Sequence, residues 1–471
     1  MTEQESSGPV GTRRDAVIYI AAVSLTFAVL WLVLGNVKQV VAGSIFIATV
    51  IGTLMFWRFR LAIAFVGISA LLATATLDIS HMIQFMNMDV IVFLIGMMIL
   101  VDIAKESGLF TWILDKLLKG TKYNPRLVLI VLLVMSTLMA ALVDEVTSIL
   151  FIIAIVFEYC TYFDIDPLPY VISTVLATNV GSSATMLGNP IGILIGLRGN
   201  LTFEDFIRWA TPVALVSLLL LIAILPLYYR KALSEAKVKV SAKIGENTSA
   251  DVLGTVGKEK MREVKISAAI LFGTIFFVAI HYRLELLFGL EKDTLLLVFS
   301  LLGAAVGMFW KRSKARLVVE RGVDWWSLVF FMFLFAKAGA LKYTGLTDRL
   351  ASGISSIATT QVQIESIVLW LGSWASSVLD NVVLVAALIP VVQSLVGLGF
   401  QGEPLYFALL FGGVYGGNIT MIGSTANIVA LGMMEKRFNY HMKFSKWLGV
   451  GLLGGVLPTV IAQVWLMVFF H

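Results

Sequence analysis

Apolar residues gather in thirteen runs, at 16–35, 39–57, 61–77, 89–104, 127–163, 168–198, 209–229, 264–282, 293–310, 324–343, 362–397, 403–434 and 447–470. Most approach the about 20 residues that an α-helix needs to cross hydrocarbon. In lipid a backbone must satisfy its own N–H and C=O groups, so such runs fold as helices. They are continuous, unlike the short alternating strands of an outer-membrane barrel. Composition agrees, with 59% hydrophobic residues, only 14% charged ones and a mean hydropathy of +0.91. Soluble domains carry about 25% charged residues. An all-α polytopic membrane protein is therefore expected, and a soluble enzyme, a disordered chain and a disulfide-rich secreted domain are excluded. One cysteine, Cys160, forbids an intrachain disulfide and argues against a thiolate metal site, and the four histidines are scattered.

Four runs are too long for one simple crossing: 127–163, 168–198, 362–397 and 403–434. Each has polar residues or glycines in its middle. If the first and third go in and come back, and the other two cross once, the chain makes eleven crossings starting in the cytoplasm. That arrangement puts 27 of the 35 Lys and Arg residues on the cytoplasmic side, as the positive-inside rule requires. The expected location is the cytoplasmic (inner) membrane, N-terminus inside and C-terminus outside. The net charge of +5 is thus no sign of nucleic acid, and none is expected as a partner; the bilayer is. Residues 1–15 read as a polar cytoplasmic tail and 16–35 as a retained first helix. The stretch 230–263 is rich in Lys, Glu, Ser and Gly and reads as a flexible cytoplasmic linker.

That linker separates two similar halves, 39–229 and 264–471. Asp89 pairs with Asp324, Gly108-Leu109 with Gly345-Leu346, Asp144 with Asp380, Thr185-Met186-Leu187-Gly188 with Thr420-Met421-Ile422-Gly423, and Trp209 with Trp447, all at offsets of 235–238. Each half holds five crossings, an odd number, so the second is expected to be inverted. Inverted repeats with interrupted helices mark secondary transporters, with the substrate site at the repeat interface near the midplane.

Four polar centres carry the candidate chemistry. The first is Asp144-Glu145-Val146-Thr147. The second, its mate, is Ser376-Ser377-Val378-Leu379-Asp380-Asn381. Acids at membrane depth are costly and are retained for ion or proton handling, so Asp144, Glu145 and Asp380 are the expected proton carriers. The third runs from Ala177 to Pro190 and supplies Asn179, Ser182, Ser183, Thr185 and Asn189. Pro190 disfavours helix before it, so the backbone should unwind and free its carbonyls. The fourth, Gly412–Asn427, has five glycines and supplies Asn418, Thr420, Ser424, Thr425 and Asn427. It is not a phosphate loop, since no strand–helix unit surrounds it. Asp102 and Lys337 read as snorkelling or locally paired charges, and Asp89 and Asp324 as helix caps.

At these centres the sequence resembles the ion transporter superfamily, in the branch that holds arsenite permeases, NhaD-type sodium/proton antiporters and the pink-eyed-dilution P protein. Gly416-Gly417-Asn418-Ile419-Thr420-Met421-Ile422-Gly423-Ser424-Thr425-Ala426-Asn427 and Ser377-Val378-Leu379-Asp380-Asn381-Val382 carry the resemblance. It implies re-entrant hairpin tips at Asp144–Thr147 and Asp380–Val382, and helix breaks at Gly181–Asn189 and Gly416–Asn427. It also implies a homodimer working by an elevator-type motion and, for an arsenite permease, a cytoplasmic ATPase partner. Dicarboxylate carriers of this superfamily have Ser-Asn-Thr at both tips, whereas this chain has Asp-Glu-Val-Thr and Asp-Asn-Val.

The leading expectation is proton-coupled antiport of a small inorganic ion, Na⁺ or Li⁺ ahead of arsenite, with H⁺ or Na⁺ as coupling ion and no other cofactor. Hard oxygen ligands suit sodium, which is expected at Asn179, Asp380 and Asn418. Sodium-coupled uptake of an organic acid such as citrate is the alternative, against which stands the absence of arginine from all four centres. A remote third is an intramembrane aspartyl protease using Asp144 and Asp380; the usual Gly-x-Gly-Asp setting is missing before Asp380.

Overall fold

A computed structural model describes residues 13–246 and 258–471, and every regular element in them is helical. The protein is a multi-pass, all-α membrane protein. Eight helices are long and apolar enough to span a bilayer. Two bent pairs, Ile79–Phe85 with Met88–Glu106 and Lys260–Ala279 with His281–Phe288, raise the number to ten. The expected eleven exceeds that range because Arg60–Ala73, with 14 residues, and the interrupted helices fall short of full length. Residues 1–12 of the expected polar tail lie outside the described residues.

The repeat is visible element by element. Helices Met88–Glu106 and Trp325–Tyr343 each have 19 residues. Helices Leu109–Gly120 and Leu346–Ile357 each have 12. Both short helices start at a glycine in left-handed backbone, Gly108 at φ 81° and Gly345 at φ 76°, a conformation that costs other residues a Cβ clash. Next come hairpin 1 (Pro125–Leu142 and Glu145–Phe163) and its mate hairpin 2 (Gln361–Ser376 and Asn381–Gly397). Broken helix 1 (Leu168–Ser182 and Pro190–Gly199) and broken helix 2 (Gly402–Gly416 and Thr425–Phe438) follow them.

The contacts establish the inversion. Broken helix 1 starts beside the base of hairpin 1, where the Tyr159 and Tyr170 rings are 5.6 Å apart. It ends beside the start of broken helix 2, where Tyr406 Oη donates to the Arg198 carbonyl at 3.0 Å. Broken helix 2 then returns to the base of hairpin 1, with Phe438 against Phe157 at 4.9 Å. The broken helices are therefore antiparallel, and the hairpins enter from opposite ends.

Three local readings change. The segment expected to be a flexible linker opens with a helix, Arg230–Glu246. Leu233, Ala236 and Val240 are buried along one face, a spacing of three and four that suits an amphipathic helix even where no apolar run exists. Residues 247–257 of the segment lie outside the described residues. Lys337 does not snorkel: it is 1% exposed and donates to Thr49 Oγ1 at 3.1 Å. Its face of Trp325–Tyr343 packs on Val37–Met55 and Arg60–Ala73, so the side chain has no path to an interface. Asp324 caps its helix, bonding Ser327 N at 3.1 Å. Asp89, in the first turn after Asn87 at the cap position, accepts from Val90 N at 3.0 Å and also pairs with Arg198 Nη2 at 2.7 and 2.8 Å.

Candidate ion site at the repeat interface

Each hairpin is locked to its own broken helix in the same way. The Thr185 hydroxyl donates to the Ala141 carbonyl, and Thr420, its mate, to Ser377. Gly181 lies so close to hairpin 1 that a Cβ would strike the carbonyl of Thr137, and Gly416 has the same relation to Ser373. In both breaks the second half-helix is capped by the residue before it: Asn189 accepts from Gly192 N at 2.7 Å, and Ser424 from Ala426 N at 3.2 Å. These caps satisfy amides that a helix start leaves orphaned. Trp447 Nε1 donates to the Asn418 carbonyl at 3.1 Å, tying down one of the oxygens freed by the break.

Three asparagines join the two breaks. Asn179 Nδ2 donates to Asn418 Oδ1 at 2.7 Å and to Asn427 Oδ1 at 2.9 Å, and Ser424 Oγ donates to Asn179 Oδ1 at 3.1 Å. Asn418 Nδ2 spends its two hydrogens on the carbonyls of Leu176 and Gly454. Asn427 Nδ2 spends its pair on Gly417 and Thr420. All three residues are fully buried. An amide carries two N–H donors, so this hub has no donor left to offer a ligand.

The hairpin tips meet next to the hub. Glu145, 2% exposed, accepts from Ser182 Oγ at 3.3 Å and from Asn381 Nδ2 at 3.5 Å. Ser182 is itself held by Asn189 Nδ2 at 2.9 Å. Glu145 and Asn381 are 236 positions apart and are mates in the repeat, so the contact lies on the pseudo-twofold axis. Asn381 Oδ1 is buried without a partner. Two tips entering from opposite ends can touch only if neither crosses to the far side, so the hairpins are re-entrant.

Asp144 and Asp380 flank this contact. Asp144 caps the second arm of hairpin 1 through Val146 N at 2.8 Å and Thr147 N at 2.9 Å. Asp380 caps hairpin 2 through Val382 N at 3.1 Å and also accepts from Thr425 Oγ1 at 2.7 Å. It lines a cavity of about 320 Å³ walled by Thr53, Trp57, Val383, Met421 and Glu435 among others.

The expected site residues therefore fall into groups. Asn179, Asn418, Asn427 and Ser424 form the hub. Glu145, Asn381, Ser182 and Asn189 form the tip contact. Asp380 faces the cavity, with Thr425 bonded to it. Thr185 and Thr420 are tethers, and Ser183 bonds Tyr415 Oη at 3.0 Å, a structural link. The hydrogen bonds of Asp380 do not reach the hub; the link runs through Ser424, the neighbour of Thr425. Sequence reasoning passed over Tyr415, although it lies inside the fourth motif. It also passed over Thr53, Trp57 and Arg60, which carry no motif and become informative only by position. Among the described residues no group of three His, Cys, Asp or Glu could hold a metal.

A family model described as a citrate transporter matches residues 50–412. The chain belongs to this citrate transporter family. It is 28% identical over 445 residues to an uncharacterized transporter of Mycobacterium tuberculosis, covering 91% of this chain and 98% of the relative. It is 25% identical to the human P protein over 480 residues, covering 85% of this chain and 56% of that protein. Among solved structures the YdaH transporter of Alcanivorax borkumensis shares the fold, with a TM-score of 0.54 and 18% identity over 80% of this chain and 84% of that one. The resemblance to the ion transporter superfamily and the transporter fold both hold.

Proposed function

We propose that this transporter exchanges protons for a small inorganic ion, the cations Na⁺ or Li⁺ ahead of arsenite, with Glu145 as the central carrier and Asp380 as its partner at the cavity. The observation that carries the reading is the surroundings of Glu145. The buried carboxylate has only long contacts, from Ser182 Oγ at 3.3 Å and Asn381 Nδ2 at 3.5 Å, and the Oδ1 of that same amide is buried without a partner. Burying a bare carboxylate costs several kcal/mol. A proton on Glu145 removes that cost, and so does a cation shared with Asn381 Oδ1. The site is stable with one or the other, which is the logic of antiport.

The same geometry weighs against an organic anion. An anion needs donors, the hub has spent all of its amide hydrogens, and two acids, Asp380 and Glu435, line the cavity. The hairpins and broken helices interlock through the tethers and the hub, and a cavity lined by both apolar residues and acids separates hairpin 2 from Val37–Met55. This supports an elevator-type motion in which the interlocked body slides against the remaining helices.

The test is reconstitution in liposomes with an internal pH dye and an imposed proton gradient. Na⁺ or Li⁺ should trigger proton flux, and Glu145→Gln should abolish it. Citrate or arsenite movement without any response to cations would overturn the reading.

A further inference from the structure

Arg60 opens the helix Arg60–Ala73 and is 8% exposed. Its guanidinium lies 4.5 Å from the Trp57 ring centre and 5.4 Å from that of Phe330. Nη2 donates to Ser327 Oγ at 2.7 Å, and Ser327 passes the bond to Asp324 Oδ2 at 2.5 Å. Nε is buried with no partner. A guanidinium stays charged in proteins and presents five donors in a fixed fork, so one neutral hydroxyl leaves it poorly compensated.

The carboxylates in Coulombic reach of Arg60 are Asp380 and Asp324, on different bodies. Asp324 caps Trp325–Tyr343, which packs on the same side as Arg60. Asp380 sits on the tip of hairpin 2. Trp57, on which Arg60 stacks, and Asp380 line the same cavity. The other charged or titratable groups nearby are Glu435 and His441, which line the same cavity and pair with each other at 3.4 Å, Lys337 of Trp325–Tyr343, bonded to Thr49 of Val37–Met55, and Arg58 on the turn before Arg60. From hairpin 1, Asp144 is in Coulombic reach of Asp324, and Glu145 of Asp380, each as a like charge.

We propose that Arg60 is a fixed cationic latch for Asp380 that keeps an unloaded carrier from moving. While Asp380 is bare, its attraction to Arg60 holds the tip of hairpin 2 in place beside the cavity, opposite Val37–Met55 and Arg60–Ala73. A proton or a cation on Asp380 cancels the charge, and the body is free to slide. An antiporter leaks when it returns empty, so a latch that recognises the empty carboxylate enforces coupling. Arg60 is thus a positioning residue, and the proposal rests on the cation/proton reading above.

The test measures ²²Na⁺ and proton movement in the same liposomes. Wild-type protein should move the two ions in a fixed ratio. Arg60→Gln should keep downhill Na⁺ flux while the protons moved per Na⁺ fall toward zero, because the empty carrier can return. Arg60→Lys, which keeps the charge and folds where Gln fails, should stay largely coupled. Ser327→Ala removes only the static contact and should couple normally. A wild-type ratio at reduced rate in Arg60→Gln, or uncoupling by Ser327→Ala, would overturn the latch.

A second measurement separates failure of the latch from failure of the transport reading. Thr53→Cys and Val383→Cys, in a Cys160→Ala background, place one thiol on each wall of the cavity for a bifunctional maleimide. Cross-linking should fall on acidification with Arg60 present and stay low at every pH in Arg60→Gln. This outcome supports the latch even if Na⁺ proves not to be the cargo. Equal cross-linking with and without Arg60 would refute it.

Discussion

At the tip of hairpin 1 the chain reads Asp144-Glu145; at the tip of hairpin 2, 236 positions on, it reads Asp380-Asn381. The backbone treats the two alike. Each aspartate caps its own second arm, and each hairpin is fastened to its broken helix by a threonine at the matching place. The chemistry parts one residue later. Glu145 carries a carboxylate to the pseudo-twofold axis, and Asn381 answers with an amide. Asp144 engages only its own cap, whereas Asp380 also takes a hydroxyl from the opposite arm of broken helix 2 and faces the cavity. A duplicated frame supplies the symmetry needed for alternating access, and a few unequal side chains decide which half holds the charge.

This division makes the two halves separable by experiment. The largest effect should come from Glu145→Gln, which removes the buried carboxyl without changing its shape: proton flux should fall to that of empty liposomes. Asp144→Asn keeps a good capping residue and should retain most activity. Equal loss in both would erase the distinction between axis and cap. Asp380→Asn weakens a charge-assisted bond worth about 1.5–3 kcal/mol, so half-saturation for the cation should rise about 10- to 100-fold.

Making the tips alike should sharpen the contrast. In Asn381→Asp two carboxyls share the axis. Like charges at close range disfavour ionisation, so protons are released only at higher pH and the flux optimum should move upward. An unmoved optimum would mean that the axis is not where protons bind.

Smaller effects should be symmetric because they belong to the frame. Gly181→Ala and Gly416→Ala each drive a methyl into a hairpin carbonyl and should destabilise by about 1–3 kcal/mol, seen as lower melting temperatures in detergent. Thr185→Val and Thr420→Val each remove one tether and should cost about 0.5–1.5 kcal/mol. Unequal losses within either pair would show that the halves differ in their packing as well as in their charges.

Much of this frame was legible in the sequence for a physical reason. Lipid forbids unsatisfied backbone, so length and hydropathy alone imply helices, and Pro190 and the glycines of 412–423 mark where helices must break. The repeat offset then pairs Asp144 with Asp380 without any coordinates. The helix Arg230–Glu246 was missed because three buried positions in a lysine-rich stretch raise no hydropathy signal. Lys337 was left between snorkelling and a local partner because a sequence does not say whether a long side chain has a route to water; the bond to Thr49 decides for the local partner.

What the sequence by itself determined is the class of molecule, the inverted duplication, the two breaks and the set of polar residues available to the site. Only the tertiary structure decided how that set is divided. Asn179, Asn418 and Asn427 spend their hydrogens on one another and on freed carbonyls. Glu145 emerges as the acid on the axis, and Arg60, far from every motif, comes within Coulombic reach of Asp380. Hydrogen-bond capacity is finite and charge acts through space. Which groups remain free to meet an ion therefore depends on residues brought together from some 240 positions apart, as Asn179 and Asn418 are.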